Sequence, residues 1–339
     1  MEPKMALALH DLSAVGRAGL TQAMCALSAM GHQCVPLPTA VYSSHAGIAG
    51  FAVEDLTAWM GRALAQYESL GLQFDAVLSG YLSTPGQADC VLRAAACKKP
   101  GGVLLVDPVM GDGGRLYKIC TPALIESLRR LCRAADYITP NVTEAAVLLD
   151  RPADSAPHSA DEAAGWVRAL CARYETCTVL TGLGDGQIIY TLCGQGDTVQ
   201  AVQNPRIGAY YPGTGDLFAA VLLGGLMQGA DMAEAAQHAA DFVCACIRET
   251  ARMGTDPKWG VALETQLWRL YDGQDLTGNR TVLEGPGCAG RPGGPAVLPA
   301  RGAGRLRRRA GRGRPGRDRP SARRQAQLFA GRCQAHLRP

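Results

Sequence analysis

Long apolar runs and paired cysteine spacings are missing from this sequence of 339 residues. The apolar run at 5–9 is shorter than the roughly 20 residues of a membrane span or the core of a signal peptide. None of the thirteen cysteines forms a CxxC pair, so zinc-site spacing is absent. Free thiols in this number indicate a reducing compartment, and we expect a cytoplasmic protein.

Aromatic residues are also few, at 6% against 47% hydrophobic residues overall, which suits a globular protein with an aliphatic parallel sheet. The net charge of +4 hides two regions. Residues 279–339 hold fifteen Arg, no Lys and two acidic residues, whereas residues 1–278 hold 19 basic and 28 acidic residues. The part that should fold is therefore acidic, and the overall basicity says little about its ligands.

Residues 279–339 are rich in Gly, Pro, Arg and Ala and show no helical or strand periodicity, so they are predicted to be a disordered tail. One interpretation is a tail that binds nucleic acid or another anionic surface. The favoured interpretation is a solvated or spurious extension, because sequence of this composition arises when a GC-rich gene is translated in a shifted reading frame. We accordingly predict one folded domain at 1–278 and expect no nucleic-acid partner.

Within 1–278, short apolar runs alternate with helical patterns. Strands are predicted at 5–9, 34–37, 76–80, 102–109, 137–141 and 178–182, a hairpin at 187–202, and helices at 16–30, 54–70, from 85, and at 122–132, 143–149, 161–173, 232–252 and 259–271. This alternation predicts an α/β protein whose parallel sheet is covered on both faces.

The sequence is organised around Pro212–Ala220, where Gly213, Thr214 and Gly215 precede an apolar helix. Such a turn directs several N–H groups towards one point at the positive end of the helix dipole, which suits an anion. A carboxylate at Asp216 would repel a phosphate there unless it does chemistry, so we interpret Asp216 as a general base. The alternative is that Asp216 merely caps the helix.

Polar residues follow several predicted strands: Asp11 with Ser13, Asp107 with Asp112, Thr139 with Asn141, and Thr181. Ligands bind at the carboxyl edge of open α/β sheets, so these groups should converge on the Gly213–Gly215 turn.

With these residues assembled, the sequence resembles the ribokinase-like superfamily and, within it, the pyridoxal/pyridoxamine kinases. The motifs that carry the resemblance run in family order over about 5–270: His10-Asp11-Leu12-Ser13, Ser44-His45, Ser79-Gly80-Tyr81-Leu82, Asp107 to Asp112, Thr139-Pro140-Asn141 with Glu144, Thr181-Gly182 and Gly213 to Asp216. The resemblance implies a three-layer α/β/α sandwich with a mostly parallel central sheet, acting as a homodimer.

The resemblance also implies roles for particular residues. It makes Asp216 the base that deprotonates the 5′-hydroxymethyl group of vitamin B6, and Gly213, Thr214 and Gly215 the anion hole for the γ-phosphoryl group of ATP. The other implied sites are nucleotide contacts at Asp107, Asn141, Thr181 and Gly182, contacts to Mg²⁺ and a monovalent cation such as K⁺ at Asp112, Thr139 and Glu144, and substrate contacts at Asp11, Ser13, Ser44, His45 and Tyr81.

Two positions depart from the family pattern: Asp11, and Ala46, where many pyridoxal kinases have Thr. Many pyridoxal kinases have Ser at the position of Asp11, and a carboxylate there could pair with a protonated pyridine nitrogen or amine, so pyridoxamine and pyridoxine join pyridoxal as candidate substrates. The Gly213–Gly215 turn lacks the Cys found in hydroxymethylpyrimidine kinases. A hydroxymethylpyrimidine or sugar kinase therefore stays as an alternative, and a non-catalytic nucleotide-binding protein that uses its tail on nucleic acid is another.

Overall fold

Strands and helices alternate along the computed structural model, which describes residues 3–184, 186–208 and 210–271. The strands are β1 (Met5–Ser13), β2 (Gln33–Tyr42), β3 (Val53–Asp55), β4 (Phe74–Ser79), β5 (Lys98–Val106), β6 (Gly111–Asp112), β7 (Arg115–Leu116), β8 (Tyr137–Ile138), β9 (Cys177–Gly184), β10 (Ile188–Gln195) and β11 (Thr198–Pro205). The helices are α1 (Leu20–Ala29), α2 (Thr57–Ser69), α3 (Pro85–Ala96), α4 (Pro122–Ala134), α5 (Val142–Leu148), α6 (Ala160–Tyr174), α7 (Thr214–Gln228), α8 (Met232–Met253) and α9 (Trp268–Tyr271).

Within the described residues, nine strands form one mixed sheet in the order β11-β10-β9-β8-β5-β4-β1-β2-β3. The six strands from β9 to β2 pair in parallel, and β10, β11 and β3 are antiparallel additions at the two edges. The chain reverses its direction of travel across the sheet at β1, which lies between β2 and β4. Such a reversal opens a crevice at the carboxyl ends of the strands, where α/β proteins bind ligands.

Two hydrophobic cores cover the two faces of this sheet, because successive strand side chains point to opposite sides. Leu7 and Leu9 of β1 join a core built with α2 to α6, whereas Ala6 and Ala8 join the core built with α1, α7 and α8. The small alanines leave room for α1 and α7 to lie close to the sheet. The three-layer α/β/α arrangement predicted from the sequence is confirmed.

The predicted start of the second helix is wrong. Residues 54 and 55 belong to β3, where Glu54 pairs with Val41 of β2, and α2 begins only at Thr57. The Asp55 side chain accepts a hydrogen bond from the Thr57 N–H at 2.9 Å, which satisfies one of the open donors at the start of the helix. An edge strand of three residues is too short to be recognised from the hydrophobic periodicity of the sequence.

The predicted strand at 102–109 and helix at 259–271 also differ from the structure. Strand β5 begins at Lys98 and ends at Val106, and helical structure near the end of the described chain is confined to a 3₁₀ turn at Pro257–Trp259 and to α9. Gly260 interrupts the predicted helix, with φ of 74°. A side chain at Gly260 would also overlap the backbone of Arg17, whose N–H donates to the Trp259 carbonyl at 3.1 Å.

The predicted boundary at residue 278 and the predicted tail at 279–339 lie outside the described residues. Across the part of the chain that the structure describes, no helix combines the length and apolar character needed to cross a membrane.

Gly194 of β10 tests the packing of α6 on the sheet. A methyl group at Gly194 would overlap Val167 Cγ1, so Gly194→Ala should lower the free energy of unfolding by about 1–3 kcal/mol. Urea denaturation measures the change. Gly165→Ala on α6 is the control, because its added methyl meets open space and should stabilise the helix slightly. Equal effects of both substitutions would contradict this account of the α6–β10 contact.

Candidate active site

The Gly213–Gly215 turn begins helix α7 directly. Gly213 is the N-cap with φ of 79°, and helical structure starts at Thr214, so the N–H groups of residues 214 to 216 lie in the first turn. The first backbone bond of the helix runs from the Leu217 N–H to the Gly213 carbonyl, which leaves those three N–H groups open. A side chain at Gly213 would overlap the Arg17 carbonyl, so both the backbone angle and the space require glycine.

Asp216 is not the cap of this helix, because Gly213 occupies that position and makes no side-chain cap. Its Oδ2 accepts a hydrogen bond from the Gly19 N–H at 2.7 Å, and its Oδ1 lies 3.2 Å from His10 Nε2. Burial alone would raise the pKa of Asp216, but the charge and hydrogen bond of His10 and the Gly19 N–H hold it below its usual range. The side chain is a half-buried, oriented carboxylate at the mouth of the N–H cluster.

His10 is the residue that the sequence analysis did not single out, although it stands in the quoted His10-Asp11-Leu12-Ser13 motif. Its side chain is 4% exposed, and its Nδ1 lies 2.8 Å from Asp11 Oδ1. Burial works to lower the pKa of His10, yet Asp216 and Asp11 together raise it well above its usual value. A histidine in a buried strand carries no sequence signal of this role.

Asp107 and Thr139 follow β5 and β8 and lie at the same edge of the sheet. Burial and the charge of Asp216 raise the pKa of Asp107, and His10 and Thr139 oppose the rise. Thr139 Oγ1 is buried and makes no hydrogen bond of normal geometry, although its hydroxyl lies close enough to Asp107 to lower the pKa of that carboxyl. The pair thus presents a carboxylate and an uncommitted hydroxyl to the same space.

Asn141 and Glu144 form a reciprocal capping box at the start of α5. Asn141 Oδ1 accepts from the Glu144 N–H at 3.0 Å, and Glu144 Oε2 accepts from the Asn141 N–H at 2.9 Å. Glu144 Oε1 accepts from the Met110 N–H at 3.0 Å, which joins this helix to the segment after Asp107. Burial and the Asp107 charge raise the pKa of Glu144 against these backbone N–H groups.

Asp112, Thr181 and Gly182 complete the nucleotide and metal residues predicted from the sequence. Asp112 is exposed, and its Oδ1 accepts from the Gly113 N–H at 2.7 Å. Thr181 bridges to Asn141 alongside Gly182, whose φ is 80°. A cavity of about 460 Å³ is lined by all eleven residues predicted for catalysis, nucleotide and metal: Asp107, Asp112, Thr139, Asn141, Glu144, Thr181, Gly182, Gly213, Thr214, Gly215 and Asp216.

The five residues predicted to bind the substrate lie outside the lining of this cavity. Asp11 Oδ1 lies 2.8 Å from Nδ1 of His10, and Nε2 of the same ring faces Asp216 in the cavity lining. Asp11 Oδ2 accepts a hydrogen bond from the buried Ser13 hydroxyl at 2.7 Å. Both carboxylate oxygens of Asp11 are therefore already engaged by protein groups. The interpretation that Asp11 pairs with a pyridine nitrogen or amine has to compete with these contacts.

His45, Ser44 and Tyr81 lie around the ends of β2 and β4. His45 is buried, and its Nε2 donates to the Lys258 carbonyl at 2.6 Å while its Nδ1 accepts from the Gly47 N–H at 3.1 Å. A ligand could therefore meet His45 only through the ring itself. The Tyr81 hydroxyl lies 3.2 Å from that of Tyr42, and burial, followed by Tyr42 and Asp11, raises its pKa; Ser44 is half-buried.

The donor set at the strand ends fits a hard divalent cation. Among the described residues no group of three or more His, Cys, Asp or Glu could enclose a metal by itself. Mg²⁺ does not need one, because it is usually held by one or two carboxylates with phosphate oxygens and water. The buried Thr139 hydroxyl and the carboxylates of Asp107 and Glu144 are oxygen donors of the kind that Mg²⁺ prefers.

The fold and the site together define a ribokinase-like α/β protein. The chain belongs to the phosphomethylpyrimidine kinase family, which it matches over residues 14–259. Pyridoxal kinase PdxY of Vibrio parahaemolyticus is 31% identical over 73% of this chain and 88% of its own length. These matches confirm the resemblance to pyridoxal kinases and the α/β fold.

Two solved structures show the same relationship. Pyridoxal kinase from Lactobacillus plantarum is 31% identical with a TM-score of 0.73, and 79% of this chain and 96% of that chain are covered. A provisionally assigned phosphomethylpyrimidine kinase from Bacteroides thetaiotaomicron, in a crystal form with pyridoxal, is 37% identical with a TM-score of 0.74 and the same coverage.

Asp107→Asn should stabilise the protein in metal-free buffer. The folded pKa of Asp107 is raised, so its ionisation costs stability above about pH 4, its unfolded pKa, and costs nothing below it. We expect the free energy of unfolding to rise by about 1 kcal/mol or more at neutral pH, from urea denaturation with a chelator present.

Asp112→Asn is the matched control, because Asp112 is exposed and should change stability little. A loss of stability in Asp107→Asn at neutral pH, or an equal gain at pH 3, would contradict the electrostatic account of Asp107.

Proposed function

We propose that this protein transfers the γ-phosphoryl group of ATP to the 5′-hydroxymethyl group of vitamin B6. The observation that carries the proposal is the position of the Asp216 carboxylate in the first turn of α7, beside open N–H groups and in one cavity with Asp107 and Glu144. A phosphate-binding turn has no use for an adjacent negative charge unless that charge takes a proton. The likeness to pyridoxal kinases and to a relative with pyridoxal supports this acceptor.

Asp216 would act as the general base. Its depressed pKa keeps it ionised at neutral pH, and its contacts with Gly19 and His10 hold one orientation. The carboxylate takes the hydroxyl proton as the substrate oxygen attacks phosphorus, and the bond from phosphorus to the ADP oxygen breaks. Positioning and charge stabilisation dominate such a transfer, so a fixed weak base is sufficient.

The N–H groups at Gly213, Thr214 and Gly215 would stabilise charge on the transferring group. Because the helix begins at Thr214, the N–H groups of Thr214 and Gly215 are already open and in place before any ligand binds. Thr139, Glu144 and Asp112 would hold Mg²⁺ and a monovalent cation such as K⁺, and Asp107, Asn141, Thr181 and Gly182 would meet the nucleotide. Bound Mg²⁺ supplies positive charge that offsets the phosphates.

The pyridine ring would lie towards Ser44, His45 and Tyr81, with Ser13 and Asp11 behind. We propose pyridoxal, pyridoxamine and pyridoxine as substrates, and a homodimer as the active form. Asp11 would influence the ring through His10 and Ser13, since its oxygens are engaged by those side chains. Selectivity among the three vitamers would therefore depend more on Ser44, His45 and Tyr81 than on Asp11.

Hydroxymethylpyrimidine is the second candidate acceptor, because the family that matches residues 14–259 carries the name phosphomethylpyrimidine kinase. Against it, the turn at Gly213–Gly215 holds no Cys, and pyridoxal is the molecule in the crystal form of the Bacteroides relative. The alternative of a nucleotide-binding protein with a nucleic-acid tail depends on residues outside the described part of the chain.

Asp216→Asn tests the proposal. With the full chain, ATP and Mg²⁺, we expect turnover of at least one B6 vitamer and a fall in kcat of about 10²–10⁴-fold in the variant. ADP release and the phosphorylated vitamer are measured together for pyridoxal, pyridoxamine, pyridoxine and hydroxymethylpyrimidine.

Asp197→Asn serves as the control, since Asp197 is exposed in the β10–β11 turn and its recorded contact is made by its backbone carbonyl. Turnover of hydroxymethylpyrimidine alone would reassign the acceptor. Retained activity in Asp216→Asn, or no turnover of any vitamer by the unsubstituted protein, would overturn the proposal.

A further inference from the structure

His10 lies between two carboxylates, one at each ring nitrogen. Asp11 Oδ1 is 2.8 Å from Nδ1, and Asp216 Oδ1 is 3.2 Å from Nε2, an ion-pair distance at which Nε2 makes no well-aligned hydrogen bond. A neutral imidazole has only one N–H for these two carboxylates, whereas an imidazolium offers an N–H to each and is attracted by both charges. The Asp11 N–H also lies 2.9 Å from Nδ1, but a hydrogen bond between two charged groups is the stronger of these contacts.

The surroundings of His10 leave the ring no other position. Its side chain is 4% exposed, and a side chain at Gly80, at the end of β4, would overlap the ring. Strand β1 shifts register between His10 and Leu12, which re-aims the residues at its end. The ring is thus held between β1 and the end of β4 and faces helix α7 at Asp216.

The negative charges around Asp216 explain why this carboxylate needs a positively charged side chain beside it. The charge of Asp107 acts on Asp216 and His10, Asp11 and Asp216 flank the ring, and His45 also acts on Asp216. Asp216 is itself half-buried, and bound ATP would add further negative charge. Without a positive partner, burial and like charges would favour protonated Asp216 and remove the base.

We propose that His10, as an imidazolium fixed by Asp11, is the positioning residue that keeps Asp216 ionised and oriented towards the cavity. The inference rests on the proposed function, since it assigns a role around the same base. His10 does not touch the reacting atoms, because its ring is buried behind Asp216. Asp11 then acts as the outer member of a row formed by Asp11, His10 and Asp216, and Ser13 fixes Asp11 by its hydroxyl.

The first test is the pH profile of kcat for His10→Gln with saturating ATP and vitamer. Glutamine can still donate a hydrogen bond but carries no charge, so the pKa of Asp216 should rise. We expect the acid limb of the profile to move to higher pH by about 1 unit, a tenfold loss of kcat on that limb, with little change in KM for ATP. The ionisation of ATP is shared by both proteins and cancels in the comparison.

His32→Gln is the matched control. His32 is also buried, but its Nε2 contacts the Gly224 carbonyl at 3.2 Å, away from the carboxylates. We expect its acid limb to coincide with that of the unsubstituted protein. A His10→Gln profile that is lowered equally at every pH, without movement of the limb, would show a merely structural role and overturn the inference.

A second measurement needs no activity. Nitrogen-15 spectra of the imidazoles report whether each ring nitrogen carries a proton, and single substitutions of the other histidines assign His10. We expect both nitrogens of His10 to be protonated at pH 7.5 in the unsubstituted protein, and its pKa to fall in Asp216→Asn.

A neutral His10 at pH 7.5 would overturn the inference even if His10→Gln did not fold. Failure of the proposed function is a different result, namely no turnover of any vitamer by the unsubstituted protein. The charge state of His10 can be read in that case too, so the two failures remain distinct.

Discussion

Negative charge is concentrated at the carboxyl edge of this sheet, and most features of the site follow from the need to hold it there. Asp107 and Glu144 are buried and Asp216 is half-buried in the lining of one cavity, which under the proposed function also receives a polyanion. Different groups stabilise the negative charge of each carboxylate. Backbone N–H groups donate to Glu144, and the His10 ring and the Gly19 N–H stabilise Asp216. The charge of Asp107 is stabilised only in part, by His10 and Thr139. The pKa directions differ accordingly, since only Asp216 is lowered. The residue with the most complete compensation is the one positioned to take a proton.

Small residues make this arrangement possible. Gly213 brings the start of α7 against the Arg17 carbonyl, and Gly80 admits the His10 ring beside β4. Ala6 and Ala8 allow the helices on that face to approach the sheet. Close approach matters because the attraction between Asp216 and His10 falls off with distance and operates in a poorly solvated interior. The positions that carry no chemistry therefore decide how strongly the charged ones interact.

Much of this could be predicted from the sequence, and the exceptions have physical reasons. Strand and helix alternation predicted the layers, and strand-end polar residues predicted which side chains converge on Gly213–Gly215. The β3 strand escaped prediction because three exposed residues carry no periodicity, and His10 escaped because burial in a strand hides its contacts. Asp11 was interpreted as a ligand group, whereas its oxygens are engaged by His10 and Ser13. Such partners depend on packing between β1, β4 and α7, which no local pattern records.

The uncompensated charge on Asp107 and Glu144 has a further consequence for ligand binding. Groups whose burial disfavours ionisation weaken the free protein, and a cation that relieves them returns that free energy on binding. A nucleotide that binds together with its metal would therefore stabilise the ionised carboxylates of Asp107 and Glu144. Asp216 is already paired with His10 and would be stabilised little further. In the proposed mechanism, cation binding and proton transfer would be served by separate carboxylates because their environments differ. This separation would let one small cavity attract a cation through Asp107 and Glu144 and keep Asp216 as the base.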